Sequence, residues 1–290
     1  MAAGKISGSS VNVRPTPATT GTPKAVVNTG DKVTYYPNES YSGSGYTWYR
    51  CTSTKWSGDG YIATQYVVPD TGGSYTVGNF VKLNTNNVNV RRTASSTQYG
   101  AIGYLRNGTK LICEGTDGSF VKVKWGGTTY ATAYIHQDFV DDAGAAPASK
   151  KDKAIAIANS MADTGYAAAS NFGLTATQWC VQWISFLMKA SGCTSYPDFS
   201  TQAQVSTAIG FFGNKFGLRA NKTPQVGDWV MYSKTGETYA HVGFIVAASG
   251  SNITTVEGNL SSTVKKVSSF NYNTGVNNFT VYGFATPSWT

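Results

Sequence analysis

The stretch WCVQWISFLMKASG, residues 179–192, puts Cys180 at the head of an apolar run. A thiol attacks as its thiolate, and the unpaired N–H groups and positive dipole end of a helix start favour that form. Attack on a carbonyl also needs a group that carries protons, and the chain has two histidines, His136 and His241. His241 opens the run HVGFIV in the same part of the chain as Cys180. From the start of a strand its ring can face a packed helix end, and a Cys–His pair within hydrogen-bond reach is an activated nucleophile. The ring in turn needs an orienting partner. Glu257 and Asn259, in TVEGN, are next-but-one neighbours, so a continuing strand turns both to one face, where either can serve the second ring nitrogen. The chemistry open to this set is acyl transfer from an amide, with the backbone N–H of Cys180 and the side chain of Gln178 as candidate donors to the oxyanion. Taken singly, a cysteine at a helix start or a histidine before a strand is more often a packing residue. The ordered set Cys180, His241, Glu257 and Asn259 is what points to catalysis. Cys193, at the far end of the same helix, reads as an inert thiol, and His136, in an earlier region, as a surface or rim residue.

The elements that must hold these residues follow from hydrophobic pattern. Residues 179–191 read as one helix, and KKDKAIAIANSMADTG at 150–165 as an amphipathic one. The strands GDWVMYS, AHVGFIVAAS, NITTVEGN and FTVYGFAT come after them. Helices followed by antiparallel strands predict an α+β domain over 153–290. Ahead of it lie two copies of a different unit. VNVRPTPATTGTPKAVVNTGDKVTYY at 11–36 recurs as VNVRRTASSTQYGAIGYLRNGTKLIC at 88–113; each is a short alternating strand, a Ser/Thr-rich loop, a second strand and a Gly turn at Gly30 or Gly108. Strands this short and this often interrupted predict two small all-β barrels, over 6–70 and 82–142, with almost no helix before residue 142. The Ala, Pro and Gly of DDAGAAPASKKDK mark a linker at 143–152. Trp48, Trp56 and Trp125 are the barrel residues able to stack on sugar or peptide, set against the packing role that a small barrel gives many of its aromatics.

Composition narrows the class. Charged residues are 13% of the 290, while Ser, Thr, Asn, Gly and Tyr are abundant, which suits a β-rich, polar-surfaced extracellular protein of several domains. The net charge of +8 is spread along the chain, a distribution suited to attraction toward a polyanion, without the Lys/Arg stripe of a nucleic-acid binder. No run approaches the roughly 20 apolar residues of a membrane span, and MAAGKISGSS lacks the apolar core of a signal peptide. Neither nucleic acid nor membrane insertion is expected. The four cysteines are expected to be reduced thiols. Cys180 and Cys193 stand about 20 Å apart at 1.5 Å per helical residue, too far for a bridge, and Cys51 and Cys113 fall at non-matching places in the two repeats. Asp163 is the single acid in MADTGYAAASNFGLTATQ, so a calcium set is not expected ahead of Cys180, and nothing has the spacing of a zinc site. No metal or cofactor is expected.

Four blocks, WCVQWISFLMKASG, GDWVMYS, AHVGFIV and VEGN, together resemble the CHAP family, the cysteine, histidine-dependent amidohydrolases and peptidases, over residues 153–286. VNVR with its loop and turn resembles bacterial SH3-like (SH3b) domains over 6–69 and 83–141. These resemblances imply a multidomain chain, two SH3-like barrels followed by a papain-like α+β domain. In it Cys180 is the nucleophile, His241 the general base and then acid, Glu257 the orienting group and Asn259 a supporting polar residue. They imply a hydrolase of bacterial peptidoglycan that cuts either the N-acetylmuramoyl-L-alanine amide or a stem or cross-bridge peptide bond. The barrels would hold it on a Gram-positive wall, with anionic wall polymers as further partners. The expected location is outside the cell at the bacterial wall, for a secreted autolysin or a phage lysin. The repeats depart from the SH3b pattern where a Trp usually follows a late Gly, since GDGYIATQYV and TAYIHQDFV stand there. A second family of Cys–His wall peptidases shares the HVG strand but carries its nucleophile in DCSG, whereas Trp179 precedes Cys180 here. From another class, a non-catalytic wall adhesin would be expected to lack the Cys or the His.

Overall fold

In the computed structural model, which describes residues 1–70, 75–127, 129–166, 168–174, 179–194, 223–235 and 237–289, both valines of each VNV run point inward and the asparagine outward. That alternation, period two, is what a half-buried strand requires. The first repeat forms β1 (Ala2–Ile6), β2 (Val11–Val13), β3 (Ala25–Val27), β4 (Lys32–Gly43), β5 (Tyr46–Thr52), β6 (Gly60–Ala63) and β7 (Val67–Pro69). The second forms β8 (Phe80–Leu83), β9 (Val88–Val90), β10 (Gly103–Leu105), β11 (Lys110–Asp117), β12 (Phe120–Lys124), β13 (Thr132–His136) and β14 (Val140–Asp142). Each repeat makes a five-stranded antiparallel sheet, ordered β6-β5-β4-β1-β7 in one and β13-β12-β11-β8-β14 in the other, with a two-stranded ribbon beside it. The arginine after each VNV run bridges ribbon to sheet, Arg14 to Tyr61 and Arg91 to Tyr134. The repeat in sequence is therefore a repeat in topology. Closed barrels are corrected to open sheets with a ribbon, because three-residue ribbon strands reach the sheet by one bridge and not by a continuous ladder. Among the described residues before 142, helix amounts to two 3-10 turns, Thr64–Tyr66 and Gln137–Phe139.

The chain divides into two compact units, Met1–Ser74 and Tyr75–Thr290. The first repeat buries a core of its own, including Val13, Val27, Val33, Cys51, Trp56 and Ile62. The core of the second repeat instead runs on into the helices that follow it. Helix α1 (Lys150–Met161) begins at Ser149, whose Oγ accepts from the Asp152 N–H at 3.0 Å and donates to Asp152 Oδ2 at 2.7 Å. This cap makes residues 150–152 the first turn of the helix where the composition suggested linker. Its buried residues, Ala154, Ile157, Ala158 and Met161, form a stripe at helical spacing.

Helix α2 (Cys180–Ala190) is buried at every position except Lys189. With even Gln182 and Ser185 buried, the helix needs cover on more than one side. One cover is the second repeat: Trp125 meets Phe186 edge to face at 5.1 Å, and Gly126 lies so close to the Phe186 backbone that no Cβ fits there. The other is a sheet of β15 (Trp229–Lys234), β16 (Glu237–Ser249), β17 (Asn252–Leu260), β18 (Thr263–Asn271) and β19 (Thr280–Ala285), in the order β18-β17-β16-β15-β19. Trp229, Met231, Val242, Phe244 and Val256 belong to the core shared with the helices, while Val230, Tyr232, Ile245 and Phe284 form a separate cluster. Strand β18 has no counterpart in the sequence reading. A further tie joins the second repeat to the helical segment: the Tyr166 hydroxyl accepts from Arg106 N–H at 2.7 Å and shares a 2.6 Å hydrogen bond with Thr109 Oγ1.

Candidate active site

Cys180 is the first residue of α2, and the Trp179 side chain before it makes no capping bond. The sheet brings the other groups to it. His241 lies on β16 directly across from Tyr232 on β15, and their rings stack at 5.8 Å. On β17, Glu257 reaches His241, its Oε2 lying 2.9 Å from Nε2. The imidazole is also hydrogen-bonded to the Cys180 side chain. With Nε2 engaged by Glu257, Nδ1 is the nitrogen left to face the sulfur. Cys180, His241 and Glu257 are all buried, at 5%, 7% and 2% exposure, so a low local dielectric strengthens each of these contacts.

The Glu257 carboxylate has two more donors. Tyr232 OH and Thr255 Oγ1 each donate to Oε1 at 2.6 Å. Burial alone pushes a carboxyl up, yet the bonds from His241, Thr255 and Tyr232 and the charge of His241 hold Glu257 below its usual value. For His241, burial works against the charged ring, but the hydrogen bonds to Cys180 and Glu257 outweigh it and raise the imidazole above its ordinary value. Burial and the adjacent carboxylate raise the Tyr232 phenol, which keeps it a neutral donor. A ring held protonated beside a sulfur and a carboxylate is placed to give and take a proton at the sulfur's side of the site.

Two glycines make this geometry possible. A Cβ on Gly243, in HVG, would lie 2.8 Å from Glu257 Oε1, so the bare backbone of β16 is what lets the carboxylate reach across to His241. A Cβ on Gly258, in VEGN, would lie 2.5 Å from Trp183 Cβ and Cγ. Helix α2 thus docks on β17 through the absent side chain, and that docking brings its first residue to the histidine.

Of the residues picked out by sequence, Cys180, His241 and Glu257 come together. Asn259 lines a cleft with His241, but at φ 63° it interrupts the pleat inside β17, where the pairing with β18 shifts register, so it does not share the face of Glu257. Gln178 lies outside the described residues. The three tryptophans are corrected as stacking platforms. Trp48 (4% exposed), Trp56 (9%) and Trp125 (1%) are packed into cores and offer no open ring face. Trp48 reaches a surface groove only as part of its floor, its Nε1 donating to Gly43 O at 2.8 Å. His136 is half-buried against Phe120 and beside Asp138. Cys193 is buried next to Ser191, and all four cysteines are free. Sequence reasoning did not find Tyr232, Thr255 or Phe279, the ring that stacks on His241 at 5.5 Å. The period-two spacing of Thr255 and Glu257 was the one available signal.

No curated protein matches this chain. Among solved structures it is similar to NlpC2 from Trichomonas vaginalis, 13% identical over 100% of this chain and 98% of that one, with a TM-score of 0.32. It is similar also to an NlpC/P60 family protein from Bacillus cereus ATCC 10987, at 14% identity, 92% and 83% coverage and a TM-score of 0.39. An NlpC/P60 endopeptidase from Photobacterium damselae subsp. piscicida aligns at 10% identity, 97% and 72% coverage and a TM-score of 0.30. Residues 86–141 match the bacterial SH3 domain. Residues 171–259 match the CHAP domain, and that span contains Cys180, His241, Glu257 and Asn259.

Proposed function

We propose that the chain is a peptidoglycan hydrolase that cleaves an amide bond of the bacterial wall with Cys180 as nucleophile. The observation that carries this reading is His241 buried between the Cys180 sulfur and a carboxylate with three donors. The match of residues 171–259 to the CHAP domain supports it. The thiolate adds to the amide carbonyl carbon, and the oxyanion forms at the N-terminus of α2, where the Cys180 N–H is a donor. The His241 imidazolium protonates the leaving amine, the C–N bond breaks and a thioester remains. His241, now neutral, takes a proton from water, whose oxygen adds to the thioester carbon and expels the Cys180 thiolate. Glu257 keeps its charge throughout, fixing the ring and stabilising its protonated form, and Asn259 supplies a polar group in the cleft. A cleft of about 530 Å³ opens at His241, with room for a peptide segment.

We infer further that wall anchoring belongs to the first repeat. It has a groove of about 200 Å³ lined by Arg14, Tyr46, Trp48 and Tyr66, with Tyr46 and Tyr66 exposed. A Gram-positive wall, with its anionic polymers, fits the net charge of +8 and an extracellular site of action. The test is digestion of purified Gram-positive peptidoglycan by the wild type and by Cys180→Ala, with fragments identified by mass spectrometry. Release by the wild type alone is expected, with Cys180→Ala down at least ~10³-fold. Intact free stem peptides mean an amidase, and split peptides an endopeptidase. Equal release by both proteins sinks the thiol mechanism.

A further inference from the structure

The cleft at His241 is flanked by two tight turns of one kind. Between β17 and β18, Leu260 pairs with Thr263, and the two serines between them are left-handed, Ser261 at φ 52° and Ser262 at φ 61°. Ahead of β19, Val276 and Phe279 exchange backbone hydrogen bonds of 2.9 and 2.8 Å around Asn277 at φ 52° and Asn278 at φ 64°. Two consecutive left-handed residues make a type I′ turn, a conformation uncommon for residues other than glycine and least so for asparagine. The second turn is tied to the histidine, because Phe279 stacks on both His241 and Tyr232. Asn277 and Asn278 therefore line the cleft from a fixed base.

Lys265 lines the same cleft. It sits on β18 as the cross-strand partner of Glu257, and it is exposed. Among the described residues no carboxylate lies within ion-pair distance of its ammonium, and no Asp or Glu lines the cleft. The charge of His241 is met by Glu257, so the cleft presents one exposed ammonium, that of Lys265, and the three carboxamides of Asn259, Asn277 and Asn278, a set able to hold a carboxylate.

We propose that this cleft selects a wall peptide with a free carboxylate near the scissile amide, Lys265 pairing with that carboxylate and Asn277 and Asn278 hydrogen-bonding the peptide beside it. The proposal rests on the hydrolase reading above and names its substrate class. Lys265 is a specificity residue: it takes no part in bond making, so its loss acts on binding. Two carboxylates of a stem peptide carry this chemistry, the α-carboxylate of a γ-linked glutamate and the C-terminal carboxylate.

The test uses the full chain as Cys180→Ala, with binding measured by calorimetry to three synthetic stem pentapeptides. One has both carboxylates free, one has the glutamyl carboxylate amidated, and one has the C-terminus amidated. The free form should bind about five- to tenfold more tightly than one of the amidated forms, and the weakened form names the carboxylate read. Adding Lys265→Ala should abolish that preference, and Lys265→Arg should retain it. In the catalytically intact chain, Lys265→Ala should raise KM by the same factor at unchanged kcat. Equal binding of all three peptides, or a preference that survives Lys265→Ala, overturns the proposal. A Lys265-dependent preference in a chain whose wild type cuts no wall peptide supports the carboxylate site and overturns the hydrolase reading alone.

Discussion

The two repeats share a sheet order, a VNVR ribbon and an Arg–Tyr bridge, yet they serve different ends. In the first, the residue that ends β6 opposite Trp48 is Ala63, and a groove opens there. In the second, the equivalent residue is His136 opposite Phe120, and its ring packs on Phe120 at 5.1 Å. The tryptophans differ in the same sense. Trp56 and Trp125 both lie in the loop between the corresponding strands, but Trp56 completes the core of its own repeat, whereas Trp125 turns to Phe186 of helix α2. Repeated sequence sets a repeated backbone, and a few side chains at its rim decide what that backbone is for. One copy opens a groove at its rim. The other turns its rim into the core of the second unit, covering a helix whose polar Gln182 and Ser185 are themselves buried.

The largest effect should come from cutting the chain on either side of the second repeat. Residues 75–290 should unfold in one cooperative transition and hydrolyse soluble stem peptides like the full chain, losing only retention on intact walls. Residues 149–290 should show no cooperative unfolding and no hydrolysis, because the Phe186 side of α2 and the α1 stripe lose their cover. Calorimetry and peptide release check both fragments. An active, cooperatively folded 149–290 fragment would break the comparison at its root.

A smaller and more local contrast separates Trp125→Ala from Trp56→Ala. Each empties a core position at a cost of about 3–5 kcal/mol. Trp125→Ala should lower the melting temperature of the second unit and reduce hydrolysis, since the cavity opens against the helix that carries Cys180. Trp56→Ala should destabilise the first unit alone and leave hydrolysis of soluble peptides unchanged. Equal losses of hydrolysis in the two variants would mean that the repeats are coupled to the site alike.

Much of the site was legible because it rests on residue type and order. Cys180 heads an apolar helix, His241 stands in a strand that begins four residues earlier than its HVGFIV run suggested, and Glu257 stands in the next. What escaped depends on tertiary register. Tyr232 reaches Glu257 only because β15 pairs with β16 so that Tyr232 faces His241, and no local pattern specifies that pairing. Strand β18 hides in TVKKVSSFN, where few residues are buried and the alternation lapses. The shared face expected for Glu257 and Asn259 fails at a left-handed residue that a strand pattern does not announce. The cover over α2 was latent in a run with Lys189 as its one charged residue, for a helix this apolar needs more than one neighbour. A tryptophan in a loop carries no periodicity, so the direction of Trp125 was not there to be read.

The smallest expected effect is a difference in pH response between the two units. The buried titrating pair belongs to the second. His241 is raised above its ordinary 6.5, so the stability it contributes is complete below that pH and is lost as pH rises through its folded value. Glu257 is lowered from 4.5, so its contribution is complete above that pH and is lost as pH falls through its folded value. Both contributions are present from pH 4.5 to 6.5. In the first unit, the shifted groups lie outside the neutral range: Asp31 is lowered from 3.8, and burial pushes the Cys51 thiol from 9.0 up to about 12. Where the Cys180 sulfur keeps its proton in the resting fold, the melting temperature of the second unit should slide downward between pH 6.5 and 9 while that of the first stays level; a flat second transition means a resting thiolate, because the thiolate–imidazolium pair binds as many protons as the unfolded pair. The transition that disappears on removing residues 1–74 identifies the first unit. His241→Gln should flatten the slope of the second, because a side chain without a titrating proton has none to lose in this window. The same downward slope in wild type and His241→Gln would show that the imidazole is not held protonated against Cys180 and Glu257, and the electrostatic difference between the units would go with it.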